Sequence, residues 1–280
     1  MRIARIAHDD QVVLARIDEG TALPIAVEGA HPGADVVRDA LLTEVDLNQA
    51  SGAPFHLSDG RLLAPVRWPQ KIIAIGLNYG DHARETGAEI PSAPISFVKT
   101  PNSLVGPDDA ISWHEGSTTQ VDYEAELAVV IGRRARRITS DEALAHVLGY
   151  TCCNDVSARD AQFADGQWVR GKSFDTFCPL GPWIVTADEI PDPQALGIRC
   201  RVNGATLQDS TTAEMIFGVA EIISYLSQYL TLEPGDVIAT GTPVGVGFAR
   251  TPPIFLGDGD VVEVEIDGIG TLSNPVEVLH

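Results

Sequence analysis

In the stretch "VDYEAELAVVIG", Val121 to Gly132, two glutamates, Glu124 and Glu126, open a run that is otherwise apolar. On a strand, residues two apart share a face, so these acids align with Ala128 and Val130 while Leu127, Val129 and Ile131 point the other way. Both faces turn apolar after Glu126, and a strand apolar on both sides is normally covered on both sides. Carboxylates entering a covered region need a cation or several hydrogen-bond donors. The same spacing recurs in "GDGDVVEVEIDG", where Glu263 and Glu265 oppose Val262, Val264 and Ile266 as on an ordinary half-solvated strand. There a wet face suffices. For Glu124 and Glu126 the apolar context leaves both readings open, a wet face or a site.

A third acid, Asp155, lies in "GYTCCNDVSARD", after the apolar run Tyr150 to Cys153 and before a helix-like "SARDAQ". It reads either as a helix N-cap or, with Glu124 and Glu126, as the third arm of an all-oxygen site. Three hard carboxylate ligands without His or Cys suit Mg2+, Mn2+ or Ca2+ rather than zinc, and leave positions open for substrate and water. "GLNYGDHARETG" carries His82 and Glu85 three residues apart. On a helical turn they share a face, and the carboxylate can orient the imidazole as a general base; a surface pair is the plainer alternative. Lys172, in "RGKSFDTFCPLGP", has partly apolar neighbours, Phe174 and Phe177, and can hold a carboxylate or a developing oxyanion, although most lysines are solvated. "ATGTPVGVG" is neither a P-loop nor a dinucleotide fingerprint, which removes support for nucleotide binding. Its backbone N–H groups and Thr242 can still line a carboxylate pocket.

The elements that must position these groups are mostly strands. Residues 71–77, 94–99, 121–132, 149–155, 181–187, 198–203, 236–241 and 261–273 read as strands between Gly, Pro and Asp turns. "TSDEALAHVLGY" reads as a helix with a capping box from Thr139 to Glu142. "TTAEMIFGVAEIISYLSQYLTLEPGD" reads as another, with its box from Thr211 to Glu214 and a stripe from Met215 to Leu230. Strands and helices do not alternate, which argues against a doubly wound parallel sheet. The expected class is α+β, mainly β. Residues 1–65, with a hairpin in "RIARIAHDDQVVLARI" and a short helix in "GADVVRDALLTEVD", form a small N-terminal module; residues 66–280 form the main domain.

The chain's net charge of -20 disfavours nucleic acid and anionic membranes as partners. No apolar run reaches the ~18 residues of a membrane helix, and "MRIARIAHDD" has no signal-peptide core, so the cytoplasm is the expected compartment. Cys152, Cys153, Cys178 and Cys200 have no disulfide-framework or zinc spacing and read as reduced core residues. An acidic substrate would need local positive charge, and only Lys71, Lys99 and Lys172 are lysines. Lys99 and Lys172 both fall in unusual segments.

Seven segments, "GLNYGDHARE", "FVKTPNSLVG", "VDYEAELAVVIG", "GYTCCNDVSARDAQ", "RGKSFDTFCPLGP", "VNGATLQD" and "PGDVIATGTPVGVG", stand in an order that resembles the fumarylacetoacetate hydrolase superfamily over roughly residues 72–280. The resemblance implies a mixed β-sandwich roll, usually a homodimer, with an extra N-terminal module. It implies that Glu124, Glu126 and Asp155 ligate Mg2+ or Mn2+. It casts His82 and Glu85 as a water-activating dyad on a lid helix, Lys172 as a catalytic lysine facing the substrate, and Thr242, Arg159 and Gln162 as substrate contacts. The implied activity, in the acylpyruvate and 2,4-dioxo acid hydrolase branch, is cleavage of a C–C bond in a small anionic 2-oxo acid through a metal-stabilised enolate. The same site supports oxaloacetate decarboxylation or isomerisation of a 2-hydroxy-dienedioate, and a metal- or acid-binding protein without turnover is the rival of another class.

Overall fold

A computed structural model describes residues 1–27 and 35–280 of the chain. Its centre is a twelve-stranded mixed sheet. Along that sheet Phe55–His56, Thr21–Ile25, Gln11–Asp18 and Arg2–His8 lead into Cys178–Thr186, Val147–Asn154, Ala125–Ile131, Val237–Ala239, Ile72–Gly76 and Ile95–Lys99. Most neighbours are antiparallel, and Val237–Ala239 runs parallel to Ile72–Gly76. A five-stranded sheet packs beside it, in the order Ala205–Thr211, Gly197–Val202, Val261–Ile266, Gly270–Leu279, Ile111–His114. This is the mainly β, α+β architecture expected from the pattern of short strands.

The N-terminal strands extend the central sheet, because Arg2 and Ile3 pair with Val185 and Ile184. Their hairpin turns at Asp9 and Asp10, both with positive φ (46° and 61°), as a two-residue type I′ turn requires. The helix in "GADVVRDALLTEVD" spans Val36–Leu42; Gly33 and Ala34 of that stretch lie outside the described residues.

Ala125–Ile131 is buried at every residue, since its two faces enter different cores. Leu127, Val129 and Ile131 pack with the five-stranded sheet and with helix Val219–Tyr229, through residues such as Val264, Leu272, Ile222 and Leu226. Ala128 and Val130 pack with Ile72, Ala74, Val237 and Cys153, and with Val36 and Val37 of the N-terminal helix. The four cysteines are free and buried.

Four expectations need correction. The strand expected over 121–132 breaks at Tyr123 and Glu124 into Val121–Asp122 and Ala125–Ile131. There the Asn154 side chain takes the Glu124 N–H at 3.0 Å, in place of a ladder partner. The expected strand 261–273 is a hairpin, turning at Asp267 to Gly270. The capping box from Thr139 to Glu142 is present, yet its helix lasts only Ser140–Ala143 before a short 3-10 turn, because residues from Val147 onward pair with Ala125–Ile131. The second box does not form. Glu214 goes to Arg84 instead, at 2.8 Å, and the helix begins only at Val219 after Gly218.

Candidate active site

The site gathers where Ala125–Ile131, Val147–Asn154 and the turn after Val237–Ala239 come together. Glu126 enters it from the first residues of its strand, paired with Cys153 on the next. Asp155 follows that second strand directly, and its backbone N–H donates to the Glu124 carbonyl at 2.9 Å. The local hydrogen bonding thus holds the three acids against one another: one oxygen from each of Glu124, Glu126 and Asp155 lies within 4.8 Å of the others. All three are buried. The N-cap reading of Asp155 fails, because its carboxylate faces two lysines.

Lys172 bridges two of the acids, 2.8 Å from Glu124 Oε2 and 2.8 Å from Asp155 Oδ2. Lys99 reaches Asp155 Oδ1 at 2.5 Å and also donates to the backbone carbonyls of Val156 and Lys172. Arg159 stands 2.6 Å from Glu124 and 2.8 Å from Asp122. Burial works to raise the Glu124 carboxyl, but Lys172 and Arg159 outweigh it and bring it down to about 2. Glu126 behaves in the opposite way. Burial, with Asp155 and then Glu124 adding repulsion, holds it well above the usual carboxylate range. Its one hydrogen bond among the described residues comes from the Gly241 N–H, at 2.9 Å. Gly241 has a φ of +100° with Asn78 close against it, and only glycine can take that conformation and still present its N–H there.

Four buried carboxylates, those of Asp122, Glu124, Glu126 and Asp155, therefore face three buried cations, Lys99, Arg159 and Lys172. The acid left without a cation is Glu126, beside two further carboxylate oxygens. An all-oxygen donor set with charge to spare fits a hard divalent cation.

His82 and Glu85 lie on helix Gly80–Thr86, with His82 Nδ1 3.2 Å from Glu85 Oε2. The helix is docked rather than loose. The Glu85 carboxylate accepts the Gly245 N–H at 3.0 Å, and Asp81 accepts the Ser210 hydroxyl at 2.5 Å. A cavity of about 280 Å3 opens between this helix and the acids. His82, Glu124, Glu126, Lys172 and Thr242 line it, joined by Arg159 and Gln162. Phe97, Trp168 and Phe248 supply apolar walls. Arg159 donates to Gln162 at 2.9 Å and lies 4.4 Å over the Phe248 ring, so these pocket groups hold one another. Gln208 donates to the Thr242 hydroxyl at 2.8 Å. Every residue offered from the sequence as a catalytic, metal or substrate group is thus in this neighbourhood, with Asp155 and Glu85 just behind the lining residues.

Sequence reasoning gave no role to two residues that organise the site. Lys99 was marked only by the rarity of lysine. Asp122 was passed over, though an acid just ahead of the Glu124 segment was a usable signal. Besides Arg159 it accepts the backbone N–H groups of Gly247 and Phe248, at 2.7 and 3.1 Å. Any side chain at Gly247 would collide with the Ile254 carbonyl and with Asp122 itself.

A mainly β fold with mixed sheets is what the fumarylacetoacetate hydrolase resemblance implies, and the chain belongs to that family. The family described as fumarylacetoacetate (FAA) hydrolase C-terminal matches residues 71–277, and the one described as Rv2993c-like, N-terminal matches residues 1–65. Among similar proteins, "Oxaloacetate tautomerase fahd2, mitochondrial" from Xenopus laevis is 54% identical over 217 residues, 77% of this chain and 68% of the relative. "Oxaloacetate tautomerase YisK" from Bacillus subtilis (strain 168) is 49% identical over 225 residues, 79% of this chain and 75% of the relative. The crystal structure of 2-hydroxyhepta-2,4-diene-1,7-dioate isomerase from Mycobacterium marinum superposes with a TM-score of 0.82 at 41% identity, covering 99% of this chain and 98% of that one. Among the described residues, no helix is long and apolar enough to cross a membrane.

Proposed function

We propose that this chain is a divalent-metal-dependent tautomerase or isomerase of small 2-oxo diacids, with oxaloacetate as the substrate to test first. One observation carries the reading: a cluster of three carboxylates, two of which line a cavity with the third just behind, faces a Glu-oriented histidine across that cavity. Two relatives named as oxaloacetate tautomerases and a structural neighbour named as a dienedioate isomerase support it, and shift the weight from C–C hydrolysis to the isomerising alternative.

Glu124, Glu126 and Asp155 would hold Mg2+ or Mn2+, which supplies Lewis acidity and a template for the substrate's 2-oxo acid end. The chain's own residues do the rest. Glu85 is pinned by the Gly245 N–H and occupies His82 Nδ1, which leaves Nε2 to exchange a proton with the substrate. In the enol-to-keto direction the enol oxygen loses its proton and the other carbon of the C=C bond, alpha to the new carbonyl, gains one, with His82 as carrier. Arg159 and the Thr242 hydroxyl would hold a carboxylate, and Lys172 offsets negative charge that gathers on the substrate. Phe97, Trp168 and Phe248 exclude water and strengthen those interactions.

The His82–Glu85 pair would equally deprotonate a water, which favours a second reading as a C–C hydrolase of acylpyruvates. An assay with Mg2+ or Mn2+ separates them. Loss of the enol absorbance of oxaloacetate is followed beside pyruvate release from acylpyruvates, 2,4-dioxo sugar acids and oxaloacetate. Fast enol loss without pyruvate supports the tautomerase; pyruvate from an acylpyruvate at the higher kcat/KM would replace it with the hydrolase, and from oxaloacetate with a decarboxylase. We also keep a homodimer and a cytoplasmic location as readings, tested by light scattering and by fractionation. Ile95 and Val98, 40% and 43% exposed on an edge strand, support the first.

A further inference from the structure

A second cavity, about 400 Å3, lies between the N-terminal strands and the segment that follows Lys99. One side is a single face of three paired strands. Arg5 stands opposite Leu63, and Ala7 stands opposite both Arg61 and Val12. The other side is built from Pro101 to Gly106. The cavity is of a size that holds small organic ligands.

Arg5 borders this space and is only 3% exposed. Its Nη1 donates to the Ala64 carbonyl at 2.6 Å, and its Nε, enclosed by the protein, has no partner among the described residues. Among the described residues no carboxylate makes an ion pair with it. Arg61, on the same face, is held by Asp109 at 3.0 Å. Asp35 is the acid whose field acts most on Arg5, but its carboxylate already accepts the N–H groups of Arg38 and Trp68. Burial pushes the Arg5 guanidinium down to about 10, against the pull of Asp35, and it stays charged at neutral pH. A buried charge with an unpaired donor is costly until a nearby anion compensates it. That cost is out of place in a chain of net charge -20, with acids to spare.

We propose that this cavity binds a small organic carboxylate, with the acid group beside the Arg5 guanidinium and the apolar body against Val12, Leu63, Val66, Leu104 and Trp68. A guanidinium edge matches the two oxygens of a carboxylate. A phosphate would leave the apolar part of this wall, Val12, Leu63, Val66 and Leu104, unused. The site is separate from the catalytic cavity, and none of its lining residues belongs to that machinery.

Calorimetric titration of the full chain with benzoate, benzamide and inorganic phosphate tests the proposal, with Arg5→Met and Glu126→Gln alongside. Benzoate is expected to bind wild type and Glu126→Gln alike, with benzamide and phosphate at least ~10-fold weaker. Arg5→Met is expected to weaken benzoate at least ~10-fold while melting no lower than wild type without ligand, since an uncompensated buried charge has been removed. Unchanged benzoate binding to Arg5→Met overturns the site. So does loss of binding in Glu126→Gln, which would move the acid to the catalytic cavity, and phosphate binding as tight as benzoate overturns the ligand class. If Arg5→Met does not fold, Arg5→Lys keeps the charge and loses the fork; weakened binding then supports the proposal and unchanged binding refutes it.

Discussion

Glu124 and Glu126 share their spacing with Glu263 and Glu265, and the two pairs live in different worlds. Glu263 and Glu265 lie on Val261–Ile266, half-buried, opposite Arg201 and Arg199 of the neighbouring strand. Glu265 meets those arginines at 3.1 and 2.7 Å, in reach of water, where such pairs are worth little. Glu124 and Glu126 are 6% and 1% exposed, under two separate cores. Arg159 and Lys172 satisfy Glu124, while Glu126 has one backbone donor and two acidic neighbours. The same spacing thus yields a neutralised surface ladder in one place and a buried acid without a cation in the other. Coverage on the second face makes the difference, because it removes the water that would otherwise solvate the acids.

The contrast can be broken at several points. Glu126→Ala should abolish any rise in melting temperature with Mg2+ or Mn2+ and lower turnover by ~10³-fold, the scale of a lost Lewis acid. A melting curve that still responds to the metal would remove the proposed site. Lys172→Met should destabilise the metal-free protein by ~3 kcal/mol, because it leaves Glu124 and Asp155 short of a cation. Denaturant melts check this, and an unchanged midpoint would mean the cluster is balanced by other groups. His82→Ala should keep the metal response and lose ~100-fold in turnover; undiminished activity would sink the dyad. The smallest effect should come from Glu265→Gln, under ~1 kcal/mol in stability with turnover and metal response intact. Should that substitution also remove metal dependence, the two glutamate pairs would not differ in kind.

Legibility followed how local each feature is. The apolar run after Glu126, the hairpin at Asp9 and Asp10 and the box at Thr139 all depend on near neighbours, and all three are present. The box at Thr211 was misleading because a distant residue outcompetes it. Asn78 accepts the Phe217 N–H at 2.9 Å and takes the Ile216 N–H on its carbonyl at 2.7 Å, which keeps residues 215–218 out of the helix. Glu214 is drawn to Arg84 in the same way. The scaffold of the site was hidden for the same reason. Lys99 lies 56 residues from Asp155, and Asp122 lies 37 from Arg159.

By itself the sequence determined the class of the fold, the family and the residues able to do the chemistry, since periodicity, turns and the order of motifs are properties of the chain read in one dimension. Tertiary structure alone decided that three acids share one point with too few cations around them, that Asp122 and Lys99 hold Arg159 and Asp155 in place, and that Arg5 is buried beside a second cavity without an ion-pair partner among the described residues. Charge balance and burial are sums over neighbours in space, and in a sheet whose strand order departs from chain order those neighbours come from distant parts of the sequence.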